Sequence, residues 1–108
     1  MNEDAARIPI SPAQCEMYDW LVELGLSVLS ERQIKALLFL IHGDYIEDRG
    51  FPVRERAKLA HALGIAPKST YEILRGLHQL GLLRRIGERL DASYSVTKRY
   101  QPPAPEVD

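Results

Sequence analysis

A single cysteine, Cys15, stands among the 108 residues, so no internal disulfide can staple this chain, and a reducing compartment suits it. Cys15 reads as an ordinary helix-face residue rather than a nucleophile. Long apolar runs are missing too, since nothing approaches the roughly 18 residues that a membrane span needs. The opening Met1-Asn2-Glu3-Asp4 is acidic and polar, without the basic and apolar regions of a secretory signal. A cytoplasmic location and no membrane partner are therefore expected. His42, His61 and His78 fall in different predicted elements, and no Cys, His or carboxylate spacing matches a zinc site. Glycine-rich phosphate loops and serine-centred nucleophile motifs are absent as well. These gaps point away from an enzyme and from any metal or other cofactor.

What is present supports one core. A hydrophobic content of 45% at this length fills one domain and hardly two. The formal charge of −1 hides a segregation. Residues 1–51 carry four Lys or Arg against nine Asp or Glu, a balance of −5, whereas residues 52–100 carry ten against four, a balance of +6. The last eight residues return −2. A basic half joined to an acidic half suits a polyanion binder that must not be sticky all over, although a charge run also reads as a solvated face.

Ser11-Pro12-Ala13-Gln14 combines an N-cap serine, proline at the first helical position and glutamine three residues after the cap, so a helix starts there. Met17, Tyr18, Leu21, Val22 and Leu24 supply its stripe, and Gly25 is expected to stop it. Ser30-Glu31-Arg32-Gln33 repeats the capping signature before Ile34, Leu37, Leu38 and Ile41. Phe39 and Leu40 make that second helix apolar nearly all round, hence the centre of the core. Residues 43–52 read as a loop that can close on a short strand over 51–53. Residues 54–63 form the third predicted helix, with Ala57, Leu59, Ala60 and Leu63 inward. After the turn Gly64-Ile65-Ala66, residues 67–80 form the fourth, with Thr70, Ile73, Leu74, Leu77 and Leu80 inward. Gly76 inside it costs about 1 kcal/mol against alanine, which suggests close approach of another backbone. Residues 82–86 and 94–97 are strand-like around a polar hairpin over 87–93. The fold class is thus mainly α with a small β-hairpin. Residues 1–10 are expected to be a flexible N-terminus, 11–100 the domain, and 101–108 a disordered proline-rich tail.

Two short helices joined through a glycine turn cross at a large angle, so the second projects its polar face and N-terminal end. A helix of that width fits the DNA major groove. On Leu59-Ala60, Leu63-Gly64-Ile65, Lys68-Ser69-Thr70-Tyr71, Ile73-Leu74, Leu77 and Leu80-Gly81-Leu82, the sequence over residues 54–97 resembles the winged helix-turn-helix family of MarR-like and TrmB-like regulators. The resemblance implies a winged helix-turn-helix preceded by two helices, with residues 67–80 as recognition helix and 87–93 as wing. It turns Thr70 inward and faces Lys68, Ser69, Glu72 and Arg75 to DNA from a helix begun at Pro67, with Arg89 at the wing tip. Tyr71 reads equally as a phosphate donor or a packing residue, and Glu72 as a reader of cytosine N4 or a salt-bridge partner. Lys58 on the preceding helix, and one of Arg84 and Arg85 on opposite strand faces, complete the candidate contacts. Arg54 stands where the family carries a Ser or Thr cap, and no long helix follows the wing.

A sequence-specific double-stranded DNA-binding protein follows as the expected function, most simply a transcriptional repressor. A DNA-binding component of a plasmid or phage replication or partition system, and a winged-helix protein-interaction adaptor, are the alternatives. Trp20, Leu21, Leu24 and Leu26 offer apolar surface on the N-terminal helices for a homodimer. Such a dimer would read an inverted repeat with half-sites about 10 base pairs apart.

Overall fold

In the computed structural model of the protein, residues 10–101 are described. The expected flexible start and proline-rich tail lie outside them, save for Ile10 and Gln101, both exposed. Both serine capping boxes form. Ser11 Oγ accepts from the Gln14 amide at 3.1 Å while Gln14 Oε1 accepts from the Ser11 amide at 2.8 Å, opening α1 at Pro12–Trp20. Ser30 and Gln33 exchange the same pair at 3.2 and 2.9 Å, opening α3 at Glu31–His42. Gln14 also reaches across to the end of α3, donating Nε2 to the Ile41 carbonyl at 2.9 Å and to the His42 carbonyl at 3.3 Å.

Gly25 does not stop the first helix, contrary to the sequence reading. The chain runs through a π-helical turn, Leu21–Gly25, into the short α2, Leu26–Val28, and leaves the helix at Leu29. Gly25 keeps helical dihedrals, and a Cβ there would lie 2.6 Å from Leu21 Cδ1 and 2.9 Å from Trp20 Cζ3. Its smallness therefore serves packing. Leu21 is buried in the core and Trp20 is half-buried against Tyr100, with ring centroids 5.6 Å apart, so neither is open apolar surface. Val22, Leu24, Leu26 and Val28 are exposed instead.

As expected, α3 is the centre of the core, with Ala36, Leu37, Leu40 and Ile41 at 0% exposure. Leu38, placed in its inward stripe by periodicity, is exposed. Phe51 is enclosed between the edges of Phe39 and Tyr45, at centroid distances of 5.7 and 5.2 Å. The segment after α3 turns back through Asp44 and Glu47, both at positive φ, and places Ile46 in a parallel bridge to Val96.

The sheet has three antiparallel strands in the order β1-β3-β2: β1 Phe51–Pro52, β2 Leu83–Ile86 and β3 Ser93–Val96. Each hairpin strand is displaced from its predicted edge by one residue. Leu82 donates to Leu77 O at 3.0 Å, closing the preceding helix, and Thr97 donates to Leu82 O at 2.8 Å beyond the ladder.

A 3₁₀ turn at Val53–Glu55 precedes α4, which spans Arg56–Leu63 and so starts two residues later than predicted. Neither Arg54 nor the N-cap Glu55 supplies a side-chain cap; a guanidinium cannot accept from the free amides of a first turn. Ala57, predicted inward, is exposed, because two residues from buried Leu59 is more than half a helical turn. Gly64 closes α4 in the left-handed region at φ 70°, ψ 34°, a conformation open to glycine without steric cost. Helix α5, Pro67–Gln79, turns Thr70, Ile73, Leu74 and Leu77 inward. No backbone approaches Gly76; a Cβ there would meet Gln33 Nε2 at 3.4 Å, a side chain from the first turn of α3.

Gly81, at φ 77°, is where backbones do meet. A Cβ would stand 2.0 Å from the Arg99 carbonyl oxygen. The Gln101 amide donates to Leu80 O at 2.7 Å and Thr97 Oγ1 to Gly81 O at 2.7 Å, so the segment after β3 is strapped under the α5–β2 turn. Among the described residues, no helix is long and apolar enough to cross a membrane.

Candidate nucleic-acid interface

The polar face of α5 follows from its apolar one. With Ile73, Leu74 and Leu77 buried, Lys68, Tyr71, Glu72, Arg75, His78 and Gln79 are left outside. Thr70 is wholly buried, as the resemblance implied, and its Oγ1 donates to Pro67 O at 2.6 Å, tightening the first turn. Ala66 caps the helix without a side-chain hydrogen bond, so Lys68 and Ser69 present a first turn whose positive dipole end has no carboxylate cap.

Tyr71, Arg75 and His78 recur at spacings of four and three, hence on one stripe of the helix. The β2–β3 hairpin comes alongside that stripe. Register pairs Arg85 with Tyr94, and Tyr94 meets the edge of His78 at 6.0 Å between centroids. The result is a groove of about 390 Å³ with Val53 beneath it. From α5 come Tyr71, Arg75, His78 and Gln79; from the hairpin come Arg85, Arg89 and Tyr94. No Asp or Glu is among the residues that line it. Three arginines thus line a shared space that no carboxylate borders, the arrangement that focuses a positive field.

The hairpin is fixed rather than draped. Val53 donates its amide to Ala92 O at 2.9 Å, and Arg54 Nη2 pairs with Asp91 Oδ1 at 2.8 Å. A 3₁₀ turn, Arg89–Asp91, forms the loop, and Arg89 occupies φ 54°, uncommon for a residue with a Cβ.

The predicted site residues therefore divide. Tyr71, Arg75, Arg85 and Arg89 converge on the groove, while Pro67, Lys68, Ser69 and Glu72 lie on the first turns of α5 outside its lining. Arg84 and Arg85 do leave β2 on opposite sides: Arg84 Nη2 donates to Glu47 O at 3.0 Å, on the side away from Tyr94. Lys58 is exposed but engaged by Glu55, whose hydrogen bond and negative charge raise the ammonium pKa above the ordinary lysine value. His78, Gln79 and Tyr94 were missed. The helical stripe through Arg75 already contained His78, whereas Tyr94 required the hairpin register. Arg56, also missed, sits half-buried with its guanidinium 5.1 Å above the Tyr71 ring, a cation–π contact between α4 and α5. It holds one wall of the groove.

Among the described residues, no cluster of three His, Cys, Asp or Glu side chains could hold a metal ion. The chain matches no protein-family model, no curated protein and no solved structure.

Proposed function

We propose that the chain is a sequence-specific double-stranded DNA-binding protein of the winged helix-turn-helix kind, with α5 as recognition helix and the β2–β3 hairpin as wing. One observation carries this reading: Arg75, Arg85 and Arg89, from two elements, line one groove that contains no carboxylate. An α-helix of about 10–12 Å diameter enters a major groove about 12 Å wide. With α5 so seated, Lys68 and Ser69 lead into it, Arg75 reads base edges, and Arg85 and Arg89 hold the flanking phosphates. Glu72 on the same exposed face favours contact with cytosine N4 over contact with phosphate. A protein-adaptor role would call for an apolar α5 face, whereas Tyr71 is the one large apolar side chain exposed among the described residues of α5, and four others, Val22, Leu24, Leu26 and Val28, lie together on the π-helical turn and α2.

Those apolar residues, Val22, Leu24, Leu26 and Val28, are the proposed surface of a homodimer. Two copies joined there leave both basic halves free, and twofold symmetry pairs the two α5 helices on an inverted repeat. Occupying such a repeat in a promoter is how a protein of this size represses transcription. The test is a titration of labelled duplex, selected from a random pool, at several salt concentrations. With about four to six phosphates neutralised per protomer, log affinity falls against log salt with a slope of about −4 to −5. Absence of binding to any selected duplex at low salt refutes the proposal.

A further inference from the structure

The α5–hairpin groove does not end at the hairpin. A second groove of about 320 Å³ continues from it, and His78 and Arg85 border both. Its remaining polar walls are Arg84, Thr97, Arg99 and Gln101. Arg99 and Gln101 stand there because the strap beneath Gly81 holds them, through the 2.7 Å bond from the Gln101 amide to Leu80 O. Neither groove is lined by a carboxylate. Because His78 and Arg85 border both, the two grooves form one carboxylate-free track, with Arg75 and Arg89 lining its first part and Arg99 its second, where Arg84 also borders it while its guanidinium is held by Glu47 O. Beyond Arg84 and Arg99 lies a cleft where carboxylates enter the lining, Glu16, Glu47 and Asp48 beside Lys98, which pairs with Glu16 at 2.6 Å, so the carboxylate-free stretch ends there.

We propose that this track binds an unpaired nucleic-acid strand that continues from duplex held at α5, about one nucleotide in each groove. The inference rests on the DNA-binding reading of α5 and names a further substrate for the surface beside it. Arginines spaced along a path neutralise successive phosphates, and planar side chains between them receive unstacked bases. Tyr94 and His78 supply ring surfaces in the first groove, while Gln79 and Gln101 supply amides for base edges. Paired bases point toward the axis of their own helix and cannot lie against the Tyr94 and His78 rings that line the groove. The backbone of intact duplex would touch only the arginine rims. The protein accordingly engages DNA where duplex gives way to single strand.

Fluorescence anisotropy on the full chain, at fixed moderate salt, separates these possibilities. The probes are one selected duplex with blunt ends and the same duplex carrying five-nucleotide overhangs of either polarity. An overhang of one polarity is expected to strengthen binding by about tenfold. Arg99→Ala and Gln101→Ala, both at exposed positions outside the α5 groove, should each abolish most of that gain and leave blunt-duplex affinity within about twofold. Arg99→Lys should retain part of it. Equal affinity for blunt and overhanging duplex overturns the proposal, as does an overhang gain that survives both alanine variants. Loss of blunt-duplex binding in Arg99→Ala equal to the loss on overhangs also overturns it, because the track would then hold duplex backbone. Binding of single-stranded oligonucleotide without any duplex binding would sink the reading of α5 as a duplex reader while upholding the track.

Discussion

Two faces of this molecule leave opposite kinds of side chain uncovered. Along α1–α2 the exposed residues include Val22, Leu24, Leu26 and Val28, while beside the hairpin they are Arg75, His78, Gln79, Arg85 and Arg89. The same core supports both, for Leu21 and Leu77 belong to one cluster of buried residues. On the proposed function the difference is one of partner chemistry. Apolar surface gains free energy by leaving water, and salts that are excluded from protein surfaces strengthen it. A row of guanidinium groups gains by releasing counterions from a polyanion, and salt weakens it. Rising salt should consequently separate the two activities, sparing self-association while DNA is lost.

The strongest perturbation removes both faces together. Phe51→Ala empties the space between Phe39 and Tyr45, and such truncations cost about 3–5 kcal/mol. Urea denaturation should show that loss, with DNA binding and self-association failing in parallel. Arg75→Ala should act on one face alone. It is expected to cost about 1–3 kcal/mol on the best duplex and to relax preference at one or two base pairs, without altering self-association. Binding-site selection is the measurement, and identical preferences in variant and wild type would remove Arg75 from the base-reading set. The reverse separation comes from a Val22→Ser, Leu26→Ser double variant. Self-association measured by light scattering should weaken by at least about tenfold, and the unfolding midpoint should hardly move, since both side chains are already in water. The smallest effect is expected from Lys58→Ala. Its ammonium is engaged by Glu55, so duplex affinity should stay within about twofold of wild type.

The sequence carried the fold furthest where a local rule and a tertiary need agree. Ser11 and Ser30 each had proline or glutamate after them and glutamine at the third position, and both boxes form. Gly25 misled because smallness and helix termination share one residue type: only the Trp20 ring over it tells the two apart. The start of α4 lies two residues beyond the expected Arg54, because no side chain there caps a first turn and the chain enters through a 3₁₀ turn instead. Of the candidate interface, the α5 stripe through Tyr71 and Arg75 was legible from helical spacing. Its meeting with Arg85, Arg89 and Tyr94 was not, because it depends on the register of β2 against β3 and on the pins that set the hairpin angle. The nearness of Arg99 to His78 was further still from view. It arises from a carbonyl packed against Gly81, a contact no periodicity encodes.

The pins on the hairpin bear on how fast and at what entropic cost this surface can work. A loop tied by the Val53 amide to Ala92 O, with the exposed Arg54–Asp91 pair as a weak second tie, has surrendered part of its conformational freedom during folding. Association then has little backbone left to order, and the loss that mobile loops suffer on meeting a ligand is avoided. Preorganisation of this kind leaves Arg89 aimed before any partner arrives, so encounter is governed by diffusion and the positive field rather than by a search among loop shapes. Cutting either tie should leave the chain folded and the equilibrium contacts available, yet slow their capture.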